Sequence, residues 1–131
     1  MTKNKWRLDG KRAVITGGTK GIGLAVANEI LDLGGEVFIV ARDQNLIDER
    51  IGGWKQQGFK AFGVAADVST KDGRSDLFKA IAEIWDSFEL LINNVGTNIR
   101  KKAVEFSLEE YEYIMATNMT SNFEMSRLSY P

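Results

Sequence analysis

Thr16-Gly17-Gly18-Thr19-Lys20-Gly21-Ile22-Gly23 follows the apolar run Ala13-Val14-Ile15 and leads into a segment where Ile22, Val26, Ile30 and Leu33 recur at helical spacing. A run that is apolar at every position suits a strand buried on both faces of a parallel sheet. The quoted stretch is therefore a turn from strand to helix. Its glycines let the backbone bend sharply and bring a ligand close to the first N–H groups of the helix, where a pyrophosphate fits. Gly17, Gly21 and Gly23 make the pattern G-x-x-x-G-x-G instead of the commoner G-x-G-x-x-G, and no Gly-Lys-Ser/Thr triplet closes it as a P-loop requires. Taken alone, the stretch reads either as a phosphate cradle or as a tight turn that binds nothing.

Outward from the turn, short apolar runs alternate with amphipathic stretches, the pattern of an α/β fold. Gly34-Gly35 ends the first helix, and Val37-Phe38-Ile39-Val40 forms a second buried strand. Asp43 is the expected N-cap of a helix marked by Leu46, Ile47, Arg50, Ile51 and Trp54. Gly52-Gly53 lie inside that helix, each costing about 1 kcal/mol relative to alanine, so a frayed or kinked last turn is expected before Gly58 closes it. Ala61 to Ala66 is a third strand ending at Asp67. From about Ser69, the residues Leu77, Phe78, Ile81, Ile84, Trp85 and Phe88 form a broad apolar helical face that reads as core. Leu90-Leu91-Ile92 is a fourth strand running into Asn93-Asn94-Val95-Gly96. Ser107-Leu108-Glu109-Glu110 has the form of a capping box. One or two helices follow, with Ile114, Met115, Met119, Phe123 and Leu128 apolar and the methionines expected as core filler. Right-handed crossovers between successive parallel strands give the sheet order 3-2-1-4, with the glycine turn near the switch point where ligands bind.

Composition narrows the chemistry. The 131 residues suffice for one domain with a real core, and the net charge of −1 with interspersed signs leaves no electrostatic footprint for nucleic acid or an anionic membrane. With neither Cys nor His in the chain, disulfides, thiolate nucleophiles, imidazole bases and the usual zinc sites are excluded. The polar N-terminal residues carry no signal-peptide pattern and no membrane-length apolar run occurs, so the expectation is a cytoplasmic protein.

Thr16-Gly17-x-x-x-Gly21-Ile22-Gly23 at the first strand, Asp67-Val68 after the third, Asn93-Asn94-Val95-Gly96 after the fourth and Asn118 in the following helix resemble the short-chain dehydrogenase/reductase family. The resemblance runs from about Trp6 onward, with Val95 departing from the family's more frequent alanine. Gly17 to Gly23, Asn94-Val95-Gly96-Thr97-Asn98 and Ser107-Leu108-Glu109-Glu110-Tyr111 look like the tropinone-reductase-like branch. This resemblance implies a Rossmann-type doubly wound parallel sheet and a nicotinamide dinucleotide cofactor. The cofactor-binding set it implies is Gly17, Thr19, Lys20, Gly21, Ile22, Gly23, Arg42, Asp67, Val68, Asn94 and Gly96. Asp67 and Val68 would lie beside the adenine, and Asn94 with Gly96 would line the nicotinamide side; for Asn94 a bond to backbone tying neighbouring strands is the equal alternative. Asn118 resembles the family's catalytic asparagine, which holds water in a proton relay, against the alternative of a polar residue satisfied inside a helix bend. Ile99, Arg100 and the segment up to Ser107 read either as a substrate rim or as a solvated loop.

NADP is expected over NAD. NAD-binding domains of this type usually carry an acidic residue at the end of the second strand, where the adenosine ribose binds, and here that position is Ala41. Arg42 follows it and Lys20 sits in the glycine turn, so two cations can converge on a 2′-phosphate, each charge-assisted bond contributing about 1.5–3 kcal/mol. Asp43, one residue beyond the acidic position, reads as the helix cap.

The family's hydride transfer between nicotinamide and a carbonyl or alcohol also needs a serine and a tyrosine followed four residues later by lysine, which lowers the tyrosine's pKa. Tyr111 is followed by Met115 and Tyr113 by Thr117 at that spacing, and only Pro131 follows Tyr130. The expectation is thus a single, truncated dinucleotide-binding domain over residues 1–131, incomplete at its C-terminal side, acting on a small carbonyl or alcohol substrate and homo-oligomeric in its full-length form. Strand four then becomes a sheet edge that invites association, and the helix from Ser107 lacks partners for part of its apolar face. A non-catalytic nucleotide-binding module and an assembly protein using that edge are the alternatives.

Overall fold

The computed structural model describes residues 6–97 and 99–130. Asn98 of the branch motif lies outside the described residues, as do the first five residues and Pro131. The elements in order are β1 (Arg12–Thr16), α1 (Gly21–Asp32), β2 (Glu36–Ala41), α2 (Gln44–Gln56), β3 (Ala61–Ala65), α3 (Lys71–Ile84), β4 (Leu90–Ile92), α4 (Leu108–Met115), a π-helical segment (Ala116–Thr120) and α5 (Ser121–Ser129). The four strands form a parallel sheet in the order β3-β2-β1-β4, as the crossover rule requires. Val14 pairs with Phe38 on one side and Leu91 on the other, so β1 is central and β4 is an edge.

Beyond their first residues, Arg12 and Glu36, the central strands β1 and β2 are almost wholly apolar and buried because both faces are covered, whereas β3 and the edge strand β4 are mostly half-buried. Ala13, Ile15, Val37 and Ile39 face α1 and α2, packing with Ala27, Ile30, Leu31, Ile47 and Trp54. Val14, Phe38 and Val40 face the other way, toward Leu77, Ile81, Trp85 and Met125. Each fully buried valine, leucine, isoleucine, phenylalanine or methionine among them contributes about 1.5–3 kcal/mol relative to an exposed one.

The helices differ from the sequence expectation in four places. The buried face of α1 is Gly23, Ala27, Ile30 and Leu31, whereas Ile22 is 76% exposed. The close approach of Gly23 to the turn sets this rotation, since a Cβ there would lie 2.1 Å from the Gly17 carbonyl oxygen. Helix α2 runs unbroken through Gly52-Gly53 to Gln56. Its last turn is held by Trp54, which is buried and donates its indole N–H to Asn28 (2.8 Å), and by the Gly58 N–H to Lys55 and Phe59 N–H to Trp54 carbonyl bonds of a Schellman end. Helix α3 begins after its N-cap Thr70 and stops at Ile84, so Trp85 and Phe88 pack from beyond the helix, while Ile84 is 43% exposed. An extended backbone at Trp85 lets its ring fit edge-on between Phe38 (5.9 Å) and Phe62 (6.0 Å).

The final helical stretch buries Thr117, Ser121 and Met125, three positions at four-residue intervals, instead of the expected apolar face. Met125 is core, but Met119 is 60% exposed, as are Phe123 (65%) and Leu128 (41%). Within the π segment the Ser121 N–H donates to the Ala116 carbonyl and its hydroxyl to the Thr117 carbonyl, so a small polar residue sits satisfied against the sheet.

Candidate functional site

Thr16, the last residue of β1, organises the site. Its hydroxyl donates to the Ile92 carbonyl (3.3 Å) and accepts the backbone N–H of Asn94 (2.9 Å) and Val95 (3.2 Å), so the β4 exit is tied to the start of the glycine turn. The Asn94 side chain donates to the Gly17 carbonyl (3.2 Å), and the Gly17 N–H donates to the Val40 carbonyl (2.8 Å). Gly17 has φ +69°, and a Cβ there would meet the Asn94 amide at 3.0 Å. Three strand ends therefore meet at one turn, which only glycine can make at this closeness.

The turn delivers α1 with its N-terminus open. Asp43 caps α2, Thr70 caps α3, and Ser107 with Glu110 forms a complete capping box on α4, but Lys20 at the N-cap of α1 makes no capping bond. The first-turn N–H groups of α1 thus keep their capacity and their partial positive charge for an anion. A cavity of about 360 Å³ opens at these strand ends. Its walls include Gly17, Thr19, Lys20, Arg42, Asp67, Val68, Asn94 and Gly96. Lys20 and Arg42 are exposed there, and among the described residues the side chain of neither enters a hydrogen bond or ion pair. Ala41 ends β2 beside them, and Asp43 accepts the Leu46 N–H (3.2 Å) as a cap while also lining the cavity.

Asp67 and Val68 are fixed by the entry to α3. The Asp67 carboxylate accepts from the Ser69 N–H (3.0 Å) and hydroxyl (2.6 Å), and the Val68 carbonyl accepts the buried Arg74 guanidinium (2.8 Å). Gly21, Ile22, Gly23 and Asn118 are not among the cavity's walls. Gly21 supplies a φ of +60° at the helix start, Gly23 gives the close helix-to-turn contact, and Ile22 points to solvent. Asn118 sits in the π segment with its carboxamide doubly bonded to the Thr97 backbone, accepting from N–H and donating to C=O at 2.7 Å each. Its own carbonyl accepts the Asn122 side chain at 2.9 Å.

The cavity also takes residues the motif reading did not include: Leu46 from α2, Thr97, and Tyr113 with Thr117 one helical turn apart. No local pattern marks the last pair; the two bonds from the Asn118 side chain to Thr97 hold this helical stretch to the β4 exit and bring them to the wall. The segment from Ile99 to Ser107 lies off the cavity walls. It carries a short 3-10 turn and is clasped to α4 by Lys101 and Glu110 (2.7 Å). That lysine, and secondarily the Ser107 N–H, hold the Glu110 carboxyl below the ordinary glutamate range.

The family model for short chain dehydrogenases matches residues 11–131. The chain belongs to the short-chain dehydrogenase family. As such it is 39% identical over 131 residues to a chloroplastic tropinone reductase homolog of Arabidopsis thaliana, covering 99% of this chain and 41% of the relative. A tropinone reductase homolog of Datura stramonium is 38% identical over 128 residues, covering 97% and 48%. Among solved structures, this short-chain dehydrogenase chain is similar to L-sorbose reductase of Gluconobacter frateurii complexed with NADPH and L-sorbose, with a TM-score of 0.92, 27% identity, and coverage of 96% and 48%. It is likewise similar to RhlG of Pseudomonas aeruginosa in an NADP complex, with a TM-score of 0.90, 29% identity, and coverage of 99% and 50%. The chain spans about half the length of these relatives.

Proposed function

We propose that residues 1–131 act as one dinucleotide-binding domain that holds NADP for hydride transfer to or from a small carbonyl or alcohol. One observation carries the cofactor reading: two unpaired cations, Lys20 and Arg42, stand on the wall of a cavity whose β2 edge ends in Ala41 and not in an acid. A 2′-phosphate would satisfy both cations, whereas a free ribose would leave them without a partner. The open α1 N-terminus and the Gly17 approach fit the pyrophosphate. The NADPH and NADP in the solved relatives support the same reading.

Bound nicotinamide dinucleotide supplies the hydride donor or acceptor. The chain's own residues bind and orient it: Gly17 and the α1 amides at the pyrophosphate, Lys20 and Arg42 at the 2′-phosphate, Asp67 and Val68 along the adenosine, and Asn94 with Gly96 at the opposite end. Asn94 acts there through the turn, its side chain being given to the Gly17 carbonyl. Both polar groups of the Asn118 side chain are engaged by Thr97, and its backbone carbonyl, which accepts the Asn122 side chain, keeps a second lone pair through which it would hold a water. The sequence contains no tyrosine followed four residues later by lysine, and proton transfer is assigned to no tyrosine of this chain.

Calorimetric titration with NADPH and NADH tests the reading. NADPH should bind at least about tenfold more tightly, and neutralising Lys20 and Arg42 together should remove the preference. Equal affinities in the unsubstituted protein would reject NADP. We place the protein in the cytoplasm; among the described residues no helix is long and apolar enough to cross a membrane. Imaging of the tagged protein checks the compartment, and plastid import, which the name of one relative suggests for that relative, would overturn it.

A further inference from the structure

We infer that Arg50 is a positioning residue for the 2′-phosphate end of the cavity, setting Lys20 through the carbonyl of Thr19. The inference rests on the NADP reading above. Arg50 lies on α2, one helical turn beyond Leu46, itself a cavity residue. Its Nε–H donates to the Thr19 carbonyl at 2.9 Å, a bond joining residues 31 apart in sequence. The Thr19 carbonyl and the Lys20 N–H belong to one peptide plane, and a planar peptide held at its oxygen has its orientation fixed. The Gly17 end of the turn is tied to Val40 and Asn94, but Gly21 at the other end has φ +60° and open space around it, so the Thr19–Lys20 peptide depends on the Arg50 bond for its orientation.

The Arg50 side chain is half-buried and makes no ion pair among the described residues, so the Thr19 carbonyl, bonded through Nε–H, and not a neighbouring carboxylate is what holds it. It is not a cavity wall residue, which separates its role from those of Lys20 and Arg42. Arg50 ties the helix that follows Arg42 to the turn that carries Lys20, and so holds the two cations in a common frame. Loss of the bond should weaken recognition of the 2′-phosphate and leave the pyrophosphate contacts at the α1 N-terminus in place.

The test is titration of NADPH and NADH into the unsubstituted protein, Arg50→Met, Arg50→Lys, Lys20→Met and the Lys20→Met/Arg50→Met double variant. Arg50→Met should weaken NADPH about tenfold and change NADH by less than about twofold. Arg50→Lys, which keeps a charged donor, should recover most of the loss. Because Arg50 acts through Lys20, the double variant should bind NADPH no more weakly than Lys20→Met alone. Equal loss of both nucleotides in Arg50→Met, or additive losses in the double variant, overturns the inference while the NADP preference of the unsubstituted protein still stands. Absence of any preference in the unsubstituted protein overturns the cofactor reading and this inference with it.

Discussion

At the scale of single residues, the site is held by short polar side chains and by missing ones. Gly23 is the sharper case, because an added Cβ would meet the Gly17 carbonyl oxygen at 2.1 Å and the Asn94 amide at 2.6 Å, and the first of these is backbone that cannot swing away. Gly23→Ala should therefore destabilise the protein by about 1–3 kcal/mol, the usual cost of overpacking, and displace the turn. Chemical denaturation measures the first effect and NADPH titration the second. Asn118→Ala leaves the Thr97 N–H and C=O without their 2.7 Å partners. That change should cost about 1–3 kcal/mol in the same denaturation experiment. In Asn118 and Asn94 alike, the side chain secures backbone that in turn forms a cavity wall.

Helices show where local rules held and where packing overrode them. Gly52 and Gly53 have open space at the position of a Cβ and no positive φ, so nothing in the structure requires glycine at either. Gly52→Ala and Gly53→Ala should each stabilise α2 by about 1 kcal/mol, read as a higher denaturation midpoint. At α4 the Ser107 hydroxyl accepts the Glu110 N–H at 3.1 Å while Glu110 accepts the Ser107 N–H at 3.2 Å. Ser107→Ala should lower stability by about 1 kcal/mol. Glu110 also carries a pH dependence. Lys101, then Ser107, lower its folded-state pKa, so its contribution is fully present at neutral pH and is lost as the pH falls below the ordinary glutamate value through the depressed one. Protection factors of the α4 amides, exchange rates taken relative to the unfolded chain at the same pH, should fall over that acidic window, and Glu110→Gln should flatten the response.

For the molecule as a whole, two surfaces are left open together. β4 is an edge strand with its outer backbone groups unpaired by the sheet, and the α4–α5 stretch exposes Leu108 (69%), Tyr111 (54%), Met119 (60%) and Phe123 (65%). An apolar helical surface beside a bare strand edge favours association. The 131-residue polypeptide should sediment as a concentration-dependent mixture or aggregate. A monodisperse, cooperatively unfolding monomer in analytical ultracentrifugation and thermal scans would contradict this.

Strand identity, the sheet order and the N-caps of α2 and α4 were legible in the sequence, whereas the Thr70 cap of α3 was not. Uninterrupted apolar runs mark strands buried on both faces, the crossover rule leaves one order, and Asp43, Ser107 and Glu110 make the capping bonds their types and spacing imply. So was much of the cavity, because motifs at successive strand ends converge wherever parallel strands align. Helix rotation was not legible. Ile22 and Met119 are apolar yet exposed, while Thr117 and Ser121 are buried, because the closest backbone approaches and a π-helical step set the rotation; the Ser121 hydroxyl is satisfied by the Thr117 carbonyl, whereas the buried Thr117 hydroxyl has no hydrogen-bond partner among the described residues. Nor could the chain order show Tyr113 and Thr117 on the cavity wall, or Arg50 behind it on the Thr19 carbonyl. Each reaches it from another element, and tertiary packing decides which face of a helix meets a turn 31 residues away, as Arg50 meets Thr19.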